Sequence, residues 1–431
     1  MARHSGRRRW SVGLAAAATL TLTLAACGSG DDAAESTGEA VDDGTTITMW
    51  VRAATAAQSQ ALVDAYNASH ENQVQLTVVP TDNYLQKVGV AAGSGDLPDL
   101  LASDVIYTPN FTSKNMYLDI TDRVEQLDFA DALAPSHMQL GTYEGETYTV
   151  PHNVAVSALF QNDVLLEQAG VDPSVAPATL ADLAANAEKV AALGGDAVGL
   201  YYTGNNGGSI SFTHFPAIWA SGGEPLNDDG TAANLDSPEV VEVFQAFNDM
   251  FASGATADAV RNESGPTRDE VFAGGNVGYM LASNSVLQNV TDTDQLKIGV
   301  NGIPGTTGDV STFVGGDVIG ISANSERADA AWDFLSWSLS EDAQLEVFAK
   351  SDNLTVRTDL ADNEYAAADP RQVTLNELIA KGHTPYALNY GQTFNDPNGP
   401  WLEAARGALF GDDAAGALSA SLDAVNSSLA R

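Results

Sequence analysis

The imidazoles and thiol that most often carry metal or nucleophilic chemistry are six histidines, His4, His70, His137, His152, His214 and His383, and one cysteine, Cys27. They are scattered. No His-x-x-x-His pair puts two imidazoles on one helical face, and no second cysteine exists to complete a zinc site or a disulfide. Neither a Gly-x-Ser-x-Gly elbow nor a Gly-x-x-x-x-Gly-Lys phosphate loop occurs. The run Gly204-Asn205-Asn206-Gly207-Gly208-Ser209 reads as a loop, because no helical pattern with a basic residue follows it to cradle a phosphate. Tyr201-Tyr202, the one adjacent tyrosine pair that could serve ferric ion, reads equally well as a strand end. The 57 acidic residues could supply the paired carboxylates of a glycoside hydrolase, but acids spread over a solvated surface carry no catalytic signal. No catalytic group, metal or cofactor is expected.

The N-terminus determines where the rest of the chain must work. Arg7-Arg8-Arg9, an apolar run from Val12 to Ala26, and Leu24-Ala25-Ala26-Cys27 resemble a bacterial lipoprotein signal. The apolar stretch is shorter than the roughly 20 residues a membrane span requires. The resemblance implies cleavage after residue 26 and lipidation of Cys27 at the outer face of the cytoplasmic membrane. Arg8-Arg9 leaves open whether export is general secretory or twin-arginine. Residues 27–44 are acidic, free of bases and poor in apolar side chains, so they read as a disordered tether. Such a coil spans about 20–25 Å root-mean-square.

The leader holds four of the 19 basic residues and none of the acids, so removing it moves the formal charge from −38 to −42. A surface of that sign repels nucleic acid and anionic lipid headgroups, which excludes both as partners beyond the lipid anchor itself. About 385 residues follow the tether, more than one hydrophobic core usually holds, so two domains are expected.

The body opens on a β-branched strand, Thr46 to Val51. A helical pattern through Leu62, Val63, Ala65 and Tyr66 follows, then a second strand from Val74 to Val79. Strand, helix, strand predicts a parallel βαβ unit whose strand ends form a crevice. Tyr84 to Ala92 predicts another helix, and Gly95 to Ala102 a turn into a third strand. The first lobe therefore reads as a doubly wound α/β sheet.

The stretches GSGDLPDLLASD, YEGETYTVPHN and LFQNDVLLEQAGVDP resemble the extracellular solute-binding proteins of ABC importers, in particular the carbohydrate-binding family 1 that includes maltose-binding protein. Further blocks keep the family order: Ala220 to Glu224, Leu235 to Glu239, Phe272 to Met280, Val314 to Ile321, Ala328 to Leu339, and Trp401 to Glu403. Tyr148-Thr149-Val150-Pro151 departs from the Gly-Leu-Pro that relatives often carry before the lobe crossing, and Glu146 stands where a basic residue is usual. The resemblance implies an α/β, two-lobed periplasmic-binding-protein clamshell, each lobe a doubly wound sheet flanked by helices, joined by a multi-strand hinge. The implied boundaries are 45–153 with 284–326 for the first lobe and 154–283 with 327–431 for the second.

In that family the lobes close over a sugar, which needs flat aromatic faces for its apolar side and carboxylate, amide and guanidinium groups for its hydroxyls. The implied contacts from the first lobe and hinge are Trp50, Arg52, Asp82, Tyr84, Ser103, Asp104, Tyr107, His152, Asn153, Asn284, Gly315, Gly316 and Asp317. The second lobe adds Phe212, Trp219, Tyr386, Asn389 and Trp401. Several have plainer uses: strand alternation also allows Trp50 a core position, Arg52 a carboxylate partner, Asp82 a helix cap, and Trp219 and Trp401 helix packing. Trp332 and Trp337 read as core residues of an amphipathic helix. The implied partners are a carbohydrate ligand and the two permease subunits with their cytosolic ATPase pair, the receptor itself being a monomer. The competing readings are the same fold with polyamine, amino acid or iron cargo, a lipoprotein sensor or adhesin, and a secreted glycoside hydrolase.

Overall fold

The computed structural model describes residues 39–80 and 83–430. Strands β1 (Thr46–Arg52), β2 (Gln73–Val79) and β3 (Leu100–Asp104) pair in parallel around β1, with the helix Ala56–Ser69 between the first two and Tyr84–Ser94 before the third. Alternation in β1 buries Ile47, Met49 and Val51 completely and turns Thr48, Trp50 and Arg52 to the other face. The helix Tyr84–Ser94 stops where Gly95 enters the left-handed region at φ 78°. A hairpin of β4 (Thr142–Tyr143) and β5 (Glu146–Thr147) then turns through Glu144 and Gly145, both at positive φ, as the sequence pattern implies.

The hinge rests on β6 (Val150–Asn162), thirteen residues of which all but Ala155 are buried. A strand covered on both faces reads as one apolar run, without alternation. Its first half pairs antiparallel with β12 (Val314–Ile321). Its second half pairs with β8 (Val277–Ser283) and β9 (Ile298–Asn301), and β8 lies parallel to β7 (Val198–Tyr201). Between β9 and β12, β10 (Ile303–Pro304) and β11 (Val310–Ser311) form a small separate hairpin. One path, β2-β1-β3-β12-β6-β8-β7, thus carries the sheet through both lobes. Gly316 sits in β12 at φ +111°, beside a register shift between Asp317 and Val318. A Cβ there would stand 2.3 Å from the carbonyl oxygen of Asn153, so no other residue lets the two hinge strands meet.

Two expectations need correction. The helix Ala328–Ser338, grouped by sequence with the second lobe, packs on the first. Tyr66 makes edge contacts with Phe334 and Trp337 at 5.1 and 5.3 Å, and Trp332 is buried as expected. The acidic tether also ends earlier than residue 44. Val41 donates to Asp329 O at 3.3 Å, and Asp43 and Thr45 both donate backbone N–H groups to Asn72. The Asp42 carboxylate accepts from the backbone of Asn72 and Glu71, which holds its pKa below the usual value. Acids that disfavour a core in composition become local caps once backbone donors face them.

Candidate functional site

Two strand ends and one strand bulge meet at the hinge. Arg52 closes β1, Asp104 closes β3, and Asp317 lies at the register shift of β12. The Arg52 guanidinium lies 2.9 Å from Asp104 through Nη1, and its Nε donates to Asp317 Oδ1 at 2.8 Å. Thr55, one turn after β1, donates its hydroxyl to the other Asp317 oxygen at 2.5 Å. Asp317 is wholly enclosed, while Asp104 keeps part of its carboxylate open to the cleft. Burial opposes the charge of Arg52, but Asp104 and then Asp317 outweigh it and raise its pKa. Burial also raises the pKa of Asp104, against the pull of Arg52.

Two adjoining chambers open beside this network. The first, about 290 Å³, is lined by Arg52, Thr55, Asn153, Asn284 and Gly316 among others. The second, about 390 Å³, is lined by Asp104, Asn206, Ser209, Phe212, Arg268 and Asn395 among others, and Ser283 borders both. Asn153 is 6% exposed. Its Oδ1 accepts from the Asp317 N–H at 3.3 Å, and its Nδ2 has no partner among the described residues. A buried donor left open at a cavity wall is costly unless a ligand oxygen satisfies it. The Asn284 Oδ1 instead accepts from Val156 N at 3.0 Å and ties the chamber to β6.

The second chamber depends on the helix Gly207–Trp219. Asn206 caps it by accepting from Ser209 N at 2.9 Å, and the first two turns present Gly208, Ser209, Phe212 and Thr213 to the cavity. Sequence reading takes 204–209 as a loop and finds a helical pattern only at Trp219, because this helix is buried on nearly every side, with Ile210, Phe215, Ala217 and Ile218 all fully buried. A helix buried all round shows no amphipathic period. The Asn-Gly-Gly-Ser run was an available N-cap signal. Arg268, which pairs with Asp269 at 2.9 Å, and Asn395 carry no local signal and come from distant segments.

The implied contacts therefore divide. Arg52, Asp104, Asn153, Asn284, Gly316 and Phe212 line the two chambers. Gly315 lies behind Phe212, where an added Cβ would be 3.1 Å from the ring, and Asp317 serves as the buried counter-ion. Tyr107 and Asn389 line a neighbouring groove. Asp82 and Cys27 lie outside the described residues.

Several contacts are corrected. Trp50 shares a face of β1 with Arg52 but lies two residues short of the strand's cleft end, under the Lys87 ammonium at 4.0 Å from the ring centre, where it lines a separate hollow with Asn83 and Val90. Tyr84 is core, donating to the Ala102 carbonyl, and Ser103 is spent on the Tyr117 hydroxyl at 3.0 Å. His152 is buried beneath the hinge with Nε2 2.8 Å from Ser59 Oγ, and burial pushes its pKa down to about 4. Trp219 stacks on His383 and donates to Glu224 at 3.0 Å. Tyr386 is half-buried beside Gly230, outside both chambers. Trp401 is fully buried against Phe215, Phe244 and Phe394, and donates to Gly207 O at 3.0 Å. It holds the start of the cavity helix from behind. Among the described residues no cluster of three His, Cys, Asp or Glu could hold a metal, and no helix is long and apolar enough to cross a membrane.

Known proteins share this architecture. A family model described as bacterial extracellular solute-binding protein matches residues 61–374. A Brucella abortus (strain 2308) protein known only as a binding protein is 26% identical over 364 residues, 83% of this chain and 84% of the relative. The diacetylchitobiose binding protein DasA of Streptomyces coelicolor is 25% identical over 339 residues, 75% of this chain and 76% of its own length. The cyclic alpha-maltosyl-1,6-maltose binding protein from Arthrobacter globiformis matches with a TM-score of 0.77 at 25% identity, covering 90% of this chain and 100% of the other. The two-lobed periplasmic-binding-protein fold is common to this chain and these structures.

Proposed function

The chain belongs to the bacterial extracellular solute-binding proteins, and from that membership we propose that it captures a sugar or oligosaccharide between its lobes and delivers it to the permease of an ABC importer. The observation that carries this reading is the unpartnered, buried Asn153 amide at the wall of a cleft whose charges are already engaged. Arg52 is held by Asp104 and Asp317, and Arg268 by Asp269, so a ligand need not bring a countercharge. What the cleft offers is hydrogen bonding from Asn153, Ser209 and Asn395 beside the flat face of Phe212, which suits hydroxyls on an apolar ring. The named cargoes of the Streptomyces and Arthrobacter relatives, diacetylchitobiose and a cyclic maltosyl-maltose, are carbohydrates of this kind.

In this reading Cys27 carries a lipid, residues 28 to about 40 form the leash, and the protein works as a monomer at the outer face of the cytoplasmic membrane. Binding proceeds without turnover, with Asn153, Asn284, Asp104 and Phe212 as direct contacts and Arg52 and Asp317 as the framework that holds them. The two lobes are taken as 45–153 with 284–326 and 154–283 with 327–431, except that Ala328–Ser338 moves with the first.

One feature favours a second reading. Two carboxylates share the single Arg52 guanidinium, and the excess negative charge would suit a polyamine. A thermal-shift screen against mono- and oligosaccharides, amino acids, polyamines and ferric citrate separates the two, with product analysis of every hit. A sugar that stabilises the protein and is recovered intact is the expected outcome. Stabilisation by amines alone would assign the second reading, and cleaved sugar would make the protein a hydrolase.

A further inference from the structure

The tryptophan that the cleft leaves unused marks a separate place on the first lobe. Trp50 lies partly exposed at the margin of the cluster that Val79, Tyr84, Val88 and Leu101 build under the helix Tyr84–Ser94. Beside it opens a hollow of about 410 Å³, lined by Trp50, Asn83, Gln86, Lys87, Val90 and Asp96 among others. The helix turns Tyr84, Val88 and Ala91 inward, and the stripe of Gln86, Val90 and Ser94 lines the hollow. Val90 is 68% exposed, more than any other large apolar side chain among the described residues. A β-branched residue on an exposed helical face serves neither helix propensity nor the core.

The charge of this face runs against that of the whole protein. The chain has a formal charge of −38, yet residues 83–95 contain no acid and one base, Lys87. Among the described residues Lys87 has no carboxylate partner. Its ammonium covers the indole of Trp50 instead, 4.0 Å from the ring centre. An exposed ammonium over a ring is a weak hold, comparable to a surface ion pair, so a carboxylate brought to the hollow can draw it off and uncover the indole. Over the acidic remainder of the surface a carboxylate-bearing partner is repelled, which turns it toward this face.

Position narrows the partner further. The other edge of the same helix, at Leu85 and Gly89, borders the groove between the lobes, so a partner seated at Trp50 stands beside the mouth of the cleft. A second copy of this chain would bring its own large negative charge to the contact. We propose that the Trp50 hollow is a docking socket for an apolar side chain flanked by a carboxylate, presented outside the membrane by the permease. The carboxylate takes the Lys87 ammonium, and the apolar side chain replaces it against Trp50 and Val90. This inference rests on the importer reading and adds a contact surface that the sugar does not touch.

The test is photocrosslinking in cells that carry the full-length chain. Benzoylphenylalanine replaces Val90, or Val175 as a control that is 62% exposed elsewhere on the surface, and mass spectrometry identifies what is captured. Capture of a permease subunit from Val90 and not from Val175 is expected. In the same cells Lys87→Glu should lower uptake of the sugar found by the thermal-shift screen at least tenfold, with calorimetric affinity of the purified chain within twofold of the parent. Trp50→Ala should do the same, while Lys87→Arg, which keeps the charge and the ring contact, should retain uptake. Absent or equal capture from the two positions, capture of this chain alone, or parental uptake in both Lys87→Glu and Trp50→Ala overturns the socket and leaves sugar binding standing. A parent that binds no sugar, or binds it and supports no uptake, overturns the importer reading and the socket with it.

Discussion

Arg52 and Asp317 are 265 residues apart in the chain, yet the Arg52 Nε donates to Asp317 Oδ1 at 2.8 Å, joining the end of the first strand to the bulge of the returning hinge strand. Asp317 is fully enclosed, and its acceptors are met by Arg52 and Thr55. Removing one partner of such a pair strands the other without water. Arg52→Ala should therefore cost about 3–5 kcal/mol of folding stability, read as a lowered urea midpoint at unchanged slope. A loss within the range of an exposed pair would show that the network is solvated.

Asn153→Ala removes the open donor and leaves the backbone path of β6 intact. Ligand affinity should fall about tenfold or more, the worth of one hydrogen bond to a polar ligand, with a much smaller change in stability. Equal calorimetric affinity in parent and variant would take Asn153 out of the site.

The two tryptophans separate core from cleft. Trp401→Ala empties a fully buried position among Phe215, Phe244 and Phe394 and should cost about 3–5 kcal/mol. Trp50→Ala, under Lys87 and outside both chambers, should leave affinity unchanged in the same titration. A binding loss there would return Trp50 to the ligand.

Burial holds the imidazoles of His137 and His152 down to about 4 and that of His214 down to about 3. Above pH 6.5 neither the folded nor the unfolded chain protonates these rings, so their neutrality costs nothing. Below it the unfolded chain takes up protons that the folded chain refuses, and stability falls with pH until about 4. Each ring should account for about 2 kcal/mol between pH 6.5 and 5. His214 lies among Tyr202, Phe244 and Phe247 with no partner for Nε2 among the described residues, so His214→Phe should remove about one such share. Urea midpoints of parent and variant at pH 7 and pH 5 provide the comparison, and identical acid losses would refute it.

If Cys27 carries the lipid, Cys27→Ser should leave the protein unlipidated, either released from membranes or retained as an uncleaved precursor. Metabolic labelling with a fatty acid and membrane fractionation read this directly. A Cys27→Ser protein that is still labelled and processed would sink the anchor.

Features that depend on local pattern and chain order are legible in the residues alone. Alternation in Thr46–Arg52, the helix through Leu62 and Tyr66, and the turn at Glu144-Gly145 follow from near-neighbour preferences, and the ordered blocks from GSGDLPDLLASD to the hinge strand carry the family and the two-lobed fold. That a strand end such as Asp104 faces the cleft was legible for the same reason, since parallel strands release their C-termini on one side. Which polar groups were already spent depends on long-range packing. Ser103 on Tyr117, His152 on Ser59 and Trp401 on Gly207 all sit at positions where a contact was expected, but each is consumed by a partner 14, 93 or 194 residues away. Arg268 and Asn395 enter the cleft from segments with no local signature, and the helix at Gly207 hides because it is apolar on almost every face. Periodicity reports which side of an element is wet. A binding site depends on which donors and acceptors remain unpaired after distant segments have packed, and in this protein that leaves the amide of Asn153 open to the cleft.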